Sequence, residues 1–268
     1  MKQFVYILIL ALGVIVLPSC DDDNYSEPNS GIKGRIIDED TSEPVPMPVQ
    51  GHGSSVKIRM FEKDRLHSTG ADHSEMPVDF NAQMDGTYSN TWMFSTDYLA
   101  TIEQANFYPI DTIAVTLKGG KITEYDIPVT PYARVEVVSA KIVQVVTGGA
   151  LTQRDLKVTY KIDRSRHDYK IQSAFLAWHL SPYIDNASGN SSGKASVDYS
   201  ATPDAGLLNV NLIQTYDLLN DGTFNDVVNK AIIKGNENRI FVRIGVSTNG
   251  KTNYTVSVPV TVSFLSGE

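Results

Sequence analysis

Apolar residues recur at every second position along most of this chain, a period that points to β-strands and leaves little room for helices. Gly31 to Asp38 alternates into a turn at Asp40 to Pro44, and Val56, Ile58 and Met60 alternate next. Val78, Phe80 and Ala82 mark another half-buried strand. Asp85-Gly86-Thr87 then turns the chain into Tyr88 to Phe94, glycine supplying the backbone angles of a tight turn. Tyr98 to Ile102, Asp111 to Leu117, a Gly119-Gly120 turn and Ile122 to Val129 complete about seven strands, enough for one sandwich.

Pro128 and Pro131 bracket Thr130, and prolines restrict the backbone at such a joint, so the domain boundary is placed there. Beyond it the same style resumes. Arg134 to Val146, a Thr147-Gly148-Gly149 turn, Leu156 to Ile162 and Lys170 to Leu180 read as strands, Asp185 to Gly193 as a loop, and strands resume near Val197 and Leu207. Arg239 to Val246 and Tyr254 to Phe264 flank Asn249-Gly250, the strongest short hairpin signal. Only Asp226 to Ile233, stopped by Gly235, reads as a helix. The expected fold is all-β, with two tandem β-sandwiches at residues 30–129 and 130–268.

The N-terminus carries a different message. Met1-Lys2-Gln3 is a short positive start, Phe4 to Leu17 is an almost unbroken apolar run, and Leu17-Pro18-Ser19-Cys20 follows at once. The run of about 14 residues falls short of the roughly 20 that span a bilayer as a helix, so residues 1–19 read as a cleaved signal peptide. The four residues ending at Cys20 resemble the bacterial lipobox, with Pro18 standing where a small residue is usual, and the chain's only cysteine falls where the lipid is attached. Several acyl chains on one cysteine give stable anchoring, whereas one chain alone binds marginally. Residues 20–29 form an acidic tether, Asp21-Asp22-Asp23 onward. It resembles the export signal of surface lipoproteins in Bacteroidetes-type bacteria, which implies the outer membrane and its outward face. No disulfide within the chain is possible.

Gly31-Ile32-Lys33-Gly34-Arg35-Ile36-Ile37-Asp38 followed by Ser42-Glu43-Pro44-Val45 is similar to the first hairpin of carboxypeptidase-regulatory-like, transthyretin-like (prealbumin-like) domains. Asp85-Gly86-Thr87-Tyr88 matches their later turn, and Phe107-Tyr108-Pro109 and Val129-Thr130-Pro131-Tyr132 continue the order into a second β domain, read as immunoglobulin-like. With the lipobox, the chain resembles a two-domain lipoprotein family of unknown function. Its members are encoded beside the starch-utilisation-type TonB-dependent transporter and its glycan-capturing lipoprotein. The resemblance implies those neighbours as partners and supplies no catalytic residues; Ser95-Thr96-Asp97 departs from the Gly that usually precedes the strand tyrosine.

Chemistry-bearing motifs are few. His52, His67, His73, His167 and His179 show no metal-ligand spacing, and His67 and His73 share a polar loop with Asp64, Asp72 and Glu75. Asp217, Asn220, Asp221 and Asp226 suggest a calcium loop, but Leu219 occupies an oxygen-ligand position, so a turn is the simpler reading. Neither a nucleophile elbow nor a phosphate loop occurs, and no enzyme, metal or cofactor is expected. The formal charge of -8 is uneven: residues 21–128 hold 19 acidic against 8 basic side chains, residues 129–268 hold 12 against 14. Nucleic acid is therefore a poor partner. Aromatic side chains remain, since a flat exposed ring stacks on a sugar. Trp92, Tyr98, Tyr108 and Tyr183 are the candidate ligand-binding residues, and Trp178 is expected to pack between sheets. The expected function is a noncatalytic surface lipoprotein accessory to glycan uptake, by saccharide binding or transporter association. The alternative is a structural or adhesion module assembling through strand edges.

Overall fold

The computed structural model describes residues 27–49, 55–63, 77–103, 105–187 and 189–266. Cys20 and the loop carrying His67 and His73 lie outside them. The chain folds as two β-sandwiches.

In the first, β1 (Ser30–Asp38) is the organising strand. It lies antiparallel to β4 (Thr87–Met93) and parallel to both β7 (Ile122–Glu124) and β8 (Ile127–Val129). The opposing sheet runs β3 (Val78–Asn81), β2 (Lys57–Glu62), β5 (Asp97–Glu103), β6 (Ile113–Thr116). Period-two alternation turns Ile32 and Ile36 inward against Ile58, Met60 and Tyr98. Each such side chain, fully buried, contributes about 1.5–3 kcal/mol.

Ile122 to Val129 is thus two short strands, with the same parallel register to β1 on either side of a break. The break has a local cause: Tyr125 O accepts the buried Tyr88 hydroxyl, and Asp126 turns out to Arg35.

The second sandwich sets β13 (Leu212–Asp217), β10 (Ala150–Asp163) and β9 (Arg134–Thr147) against β12 (Gly193–Asp198), β11 (Ile171–His179) and β14 (Arg239–Thr248), with β15 (Lys251–Tyr254) and β16 (Val258–Thr261) both on β14. Leu156, Val158, Tyr160 and Ile162 of β10 meet Leu176 and Trp178 of β11 and Ile240, Val242, Ile244 and Val246 of β14. Trp178 is fully buried, its Nε1 donating to Asp221 Oδ2 at 3.1 Å. Asn249 and Gly250 both adopt positive φ, the turn their sequence indicates. Helices α1 (Gly222–Asn225) and α2 (Val227–Gly235) are capped by Asp221 and Asp226, which accept main-chain N–H bonds.

Three sequence boundaries move. β10 starts at Ala150, six residues before the alternation becomes apolar, because the β9–β10 hairpin extends past the core. Leu207 closes the 3-10 turn Asp204–Gly206 instead of starting a strand. Tyr254 to Phe264 is interrupted after Tyr254, where Thr255 O turns to Arg243.

The domains are joined by buried polar contacts. Arg243 of β14 is fully buried, and donates to Thr255 O and Ile184 O at 2.7 Å each and to Met47 O of the first domain at 2.8 Å. Its guanidinium lies 4.4 Å from the Tyr254 ring centre. Buried Asp185 accepts from Val49 N at 2.9 Å, and Asn253 accepts from Ala133 N while donating to Asn106 O at 2.7 Å.

Candidate functional site

The outer face of the β4-β1-β7 sheet is where an exposed aromatic ring meets an ordered set of polar groups. Between the pairs Ser30↔Met93 and Ile32↔Asn90 the register slips, so Thr91 and Trp92 together stand opposite Gly31. This is a β-bulge, a device that re-aims side chains. Met93 keeps its place in the core while Trp92 is turned out, 66% exposed. Glycine is required opposite: a Cβ on Gly31 would sit 2.7 Å from Thr91 Cα and 2.8 Å from Asn90 O. On the other side of Gly31 its parallel partner Ile122 is also exposed. Gly31 itself is buried, and the indole and the aliphatic side chain stand exposed on either side of it.

The next row pairs Ser89, Lys33 and Glu124 across three strands, and the one after pairs Thr87 with Arg35. These rows line a groove of about 550 Å³ that also includes Gln83 and Asp126. Lys33 Nζ is 2.8 Å from Glu124. Arg35 grips Asp126 with its main-chain N at 2.9 Å and its Nε at 3.1 Å. Arg35 accordingly holds the Asp126 carboxyl below the usual carboxylate range. Exposed ion pairs of this kind are screened by solvent, so they add little to stability. What they do is fix donors and acceptors in place: of the five guanidinium N–H groups two are directed at Asp126, leaving others for a ligand. From Gly31 to Arg35 the face spans roughly 13 Å at the usual strand rise.

The four aromatic residues singled out from sequence do not converge. Trp92 is on this face, and Tyr183, 61% exposed, lies in a loop of the second domain after β11. Tyr98 corrects the expectation, being fully buried, with its hydroxyl donating to Phe94 O at 3.1 Å; alternation along β5 turns it into the core. Tyr108 is corrected likewise. Only 5% exposed, it sits at the domain junction with Tyr132 at 4.6 Å and the Arg166 guanidinium at 4.1 Å, so both its faces are taken. Tyr169, which sequence reasoning passed over, packs on the same cluster and is 40% exposed.

The acidic loop before α1 uses its oxygens on its own chain. Asn220 donates to both Asp217 oxygens, and Asp221 Oδ2 accepts from Trp178 and from Tyr216, whose hydroxyl burial raises to about 12. No group of three or more His, Cys, Asp or Glu side chains poised for a metal occurs among the described residues.

Two family models match the chain: the protein of unknown function (DUF3823) N-terminal domain over residues 30–130, and the domain of unknown function (DUF3823_C) over residues 141–259. No curated protein matches. Among solved structures, a DUF3823 family protein from Bacteroides uniformis is 19% identical with a TM-score of 0.65, covering 88% of this chain and 100% of its own. A second Bacteroides uniformis protein, provisionally described as carbohydrate binding, is 18% identical with a TM-score of 0.63 and the same coverage. A DUF3823 family protein from Parabacteroides merdae is 20% identical with a TM-score of 0.60, over 88% of this chain and 100% of its own. At these identities the likeness is one of fold.

Proposed function

We propose, for a chain built of the two DUF3823 domains, that it is a noncatalytic surface lipoprotein that binds saccharide on the open face of its first sheet. In this reading Cys20 carries the lipid, and the protein serves an outer-membrane glycan uptake system beside a TonB-dependent transporter and its glycan-capturing lipoprotein. The observation that carries the saccharide reading is Trp92, turned outward by a bulge that Gly31 accommodates, on the sheet whose further rows line a groove of fixed polar groups. An indole face covers the apolar side of a pyranose ring, while paired charged side chains offer donors and acceptors to its hydroxyls. The relative provisionally described as carbohydrate binding is consistent with it.

The chain has two tryptophans, and the other, Trp178, is fully buried. Change in tryptophan emission on titration with oligosaccharides therefore reports Trp92 selectively. Using the chain from Asp21 onward, which contains every described element, a saturable shift that disappears in Trp92→Ala is expected. A panel of neutral and acidic oligosaccharides that leaves the emission of the folded protein unchanged would refute the reading. Mass spectrometry of the membrane-extracted protein tests the anchor, and a mature N-terminus without a lipid-modified Cys20 would remove it.

A further inference from the structure

The second domain leaves a long strand edge open beside a cleft. β9 is 14 residues long and pairs with β10 alone among the described strands. Alternate N–H and C=O groups along its other edge therefore have no ladder partner there, and such an edge templates pairing with another chain. Native proteins commonly blunt an edge with proline or cover it. Arg134 to Thr147 contains no proline and carries seven valines or isoleucines on its own length, among them exposed Val138, Val145 and Val146.

The first residues of this strand, with Ala133 before it, form one wall of a cavity of about 520 Å³ at the domain junction. The facing wall is Tyr254 to Val258, where the five-stranded sheet is interrupted between β15 and β16 and Val256 stands 65% exposed. Pro44, Val45 and Pro46 of the first domain close one end. Ala133 to Val137 spans roughly 13 Å, the length of a short strand.

Charge selects among occupants. Arg134, the one cation among the described lining residues, is held by Asp38 and Asp40, while Glu43 and Glu136 are exposed at the rim. The walls are aliphatic for the larger part, and the one aromatic ring among their described residues, Tyr254, is 3% exposed and covered by Arg243. A saccharide finds no open ring to stack on, and an anionic headgroup meets carboxylates.

We propose that this cleft receives an extended segment of a partner protein, added as a strand on the open edge of β9. Apolar side chains of that segment fill the cavity, and Lys or Arg side chains flanking them lie against Glu43 and Glu136. Strand addition draws affinity from main-chain hydrogen bonds and specificity from alternate side-chain pockets. The site is separate from the Trp92 face and does not depend on saccharide binding there.

The test uses a capped, dye-labelled nine-residue peptide, Lys-Val-Thr-Val-Lys-Val-Thr-Val-Lys, with binding read by fluorescence anisotropy on the chain from Asp21 onward. A second peptide of the same sequence is N-methylated at alternate residues, which removes ladder donors and leaves side chains and charge unchanged. We expect saturable binding, at least tenfold weaker for the N-methylated peptide, with slowed amide exchange along Val135 to Val138. Glu136→Lys, on an exposed side chain, should weaken binding about fivefold and leave the melting temperature unchanged. No binding, equal binding of the two peptides, or indifference to Glu136→Lys would each overturn the proposal. Trp92→Ala is expected to leave peptide binding untouched, so loss of one activity is distinguishable from loss of the other.

Discussion

Replacing Arg243 with methionine should loosen the two domains from each other. The guanidinium supplies donors to three main-chain oxygens, Met47 O, Ile184 O and Thr255 O, all at 2.7–2.8 Å. Leaving a buried acceptor without its donor costs about 1–3 kcal/mol, so three would cost roughly 3–9 kcal/mol if none were re-satisfied. Methionine also relieves the desolvation of a buried charge, and solvent can enter beside Met47, which sets the expected net loss at about 3 kcal/mol. For a protein of this size that is a fall in melting temperature of about 10 °C. Burial lowers the Arg243 guanidinium to about 10, so it is charged at neutral pH. Because the folded state binds this proton less tightly than the unfolded chain does, its titration adds stability only as pH rises from about 10. The charge is thus a cost at neutral pH, offset by the carbonyls. Scanning calorimetry of wild type and Arg243→Met measures the loss, and amide exchange at Met47 to Val49 locates it. A loss below about 1 kcal/mol, or unchanged exchange across that segment, would refute the account of this arginine as a link between domains.

Gly31→Ala places a methyl group against the Thr91 and Asn90 backbone, so we expect about 2 kcal/mol of destabilisation by urea unfolding and a shifted Trp92 emission, as the bulge must move. Asp221→Ala removes the acceptor of Trp178 and Tyr216 together with the cap of α1, for a loss of about 3 kcal/mol in the same assay; unchanged stability would contradict the shared role given to this carboxylate. Neutral oligosaccharides should bind the Trp92 face better than uronate-containing ones at low salt, because Lys33 and Arg35 are already neutralised by Glu124 and Asp126. Since Arg35 depresses the folded-state pKa of Asp126, the pair persists as pH falls through the ordinary carboxylate range and is lost only below it; titration at successively lower pH should show affinity held across that range.

Most strands were legible because alternation and turn residues agree along the chain. Asn249-Gly250 and Asp85-Gly86 fall where the hairpins turn, and Asp226 caps the helix that its position announces. The misreadings occur where tertiary contacts override local pattern. Arg243 carried no signal of its own in the sequence: it alternates with the core residues Val242 and Ile244, and its own face is covered by Met47 and the loop through Ile184. Arg154, also fully buried, lies over Phe224 and Phe264, elements far from it in sequence. Tyr98 and Tyr108 were read as accessible from proximity to loops, but facing direction depends on register, which composition does not reveal. Trp92 was half legible: its opposition to Met93 was visible in the alternation, whereas the bulge that frees it depends on pairing with Gly31.

The central place of β1 has a consequence for how the chain comes to be folded. Ile36 cannot complete its parallel pairing until Ile127 has been made and brought back beside it, so nearly the whole first domain must be in hand before its first strand is enclosed. A polypeptide emerging end first, from a ribosome or through a narrow pore, therefore carries its opening strand unpaired on that side until the closing segment arrives. Such a topology delays compaction and keeps the leading portion threadable for the longest time.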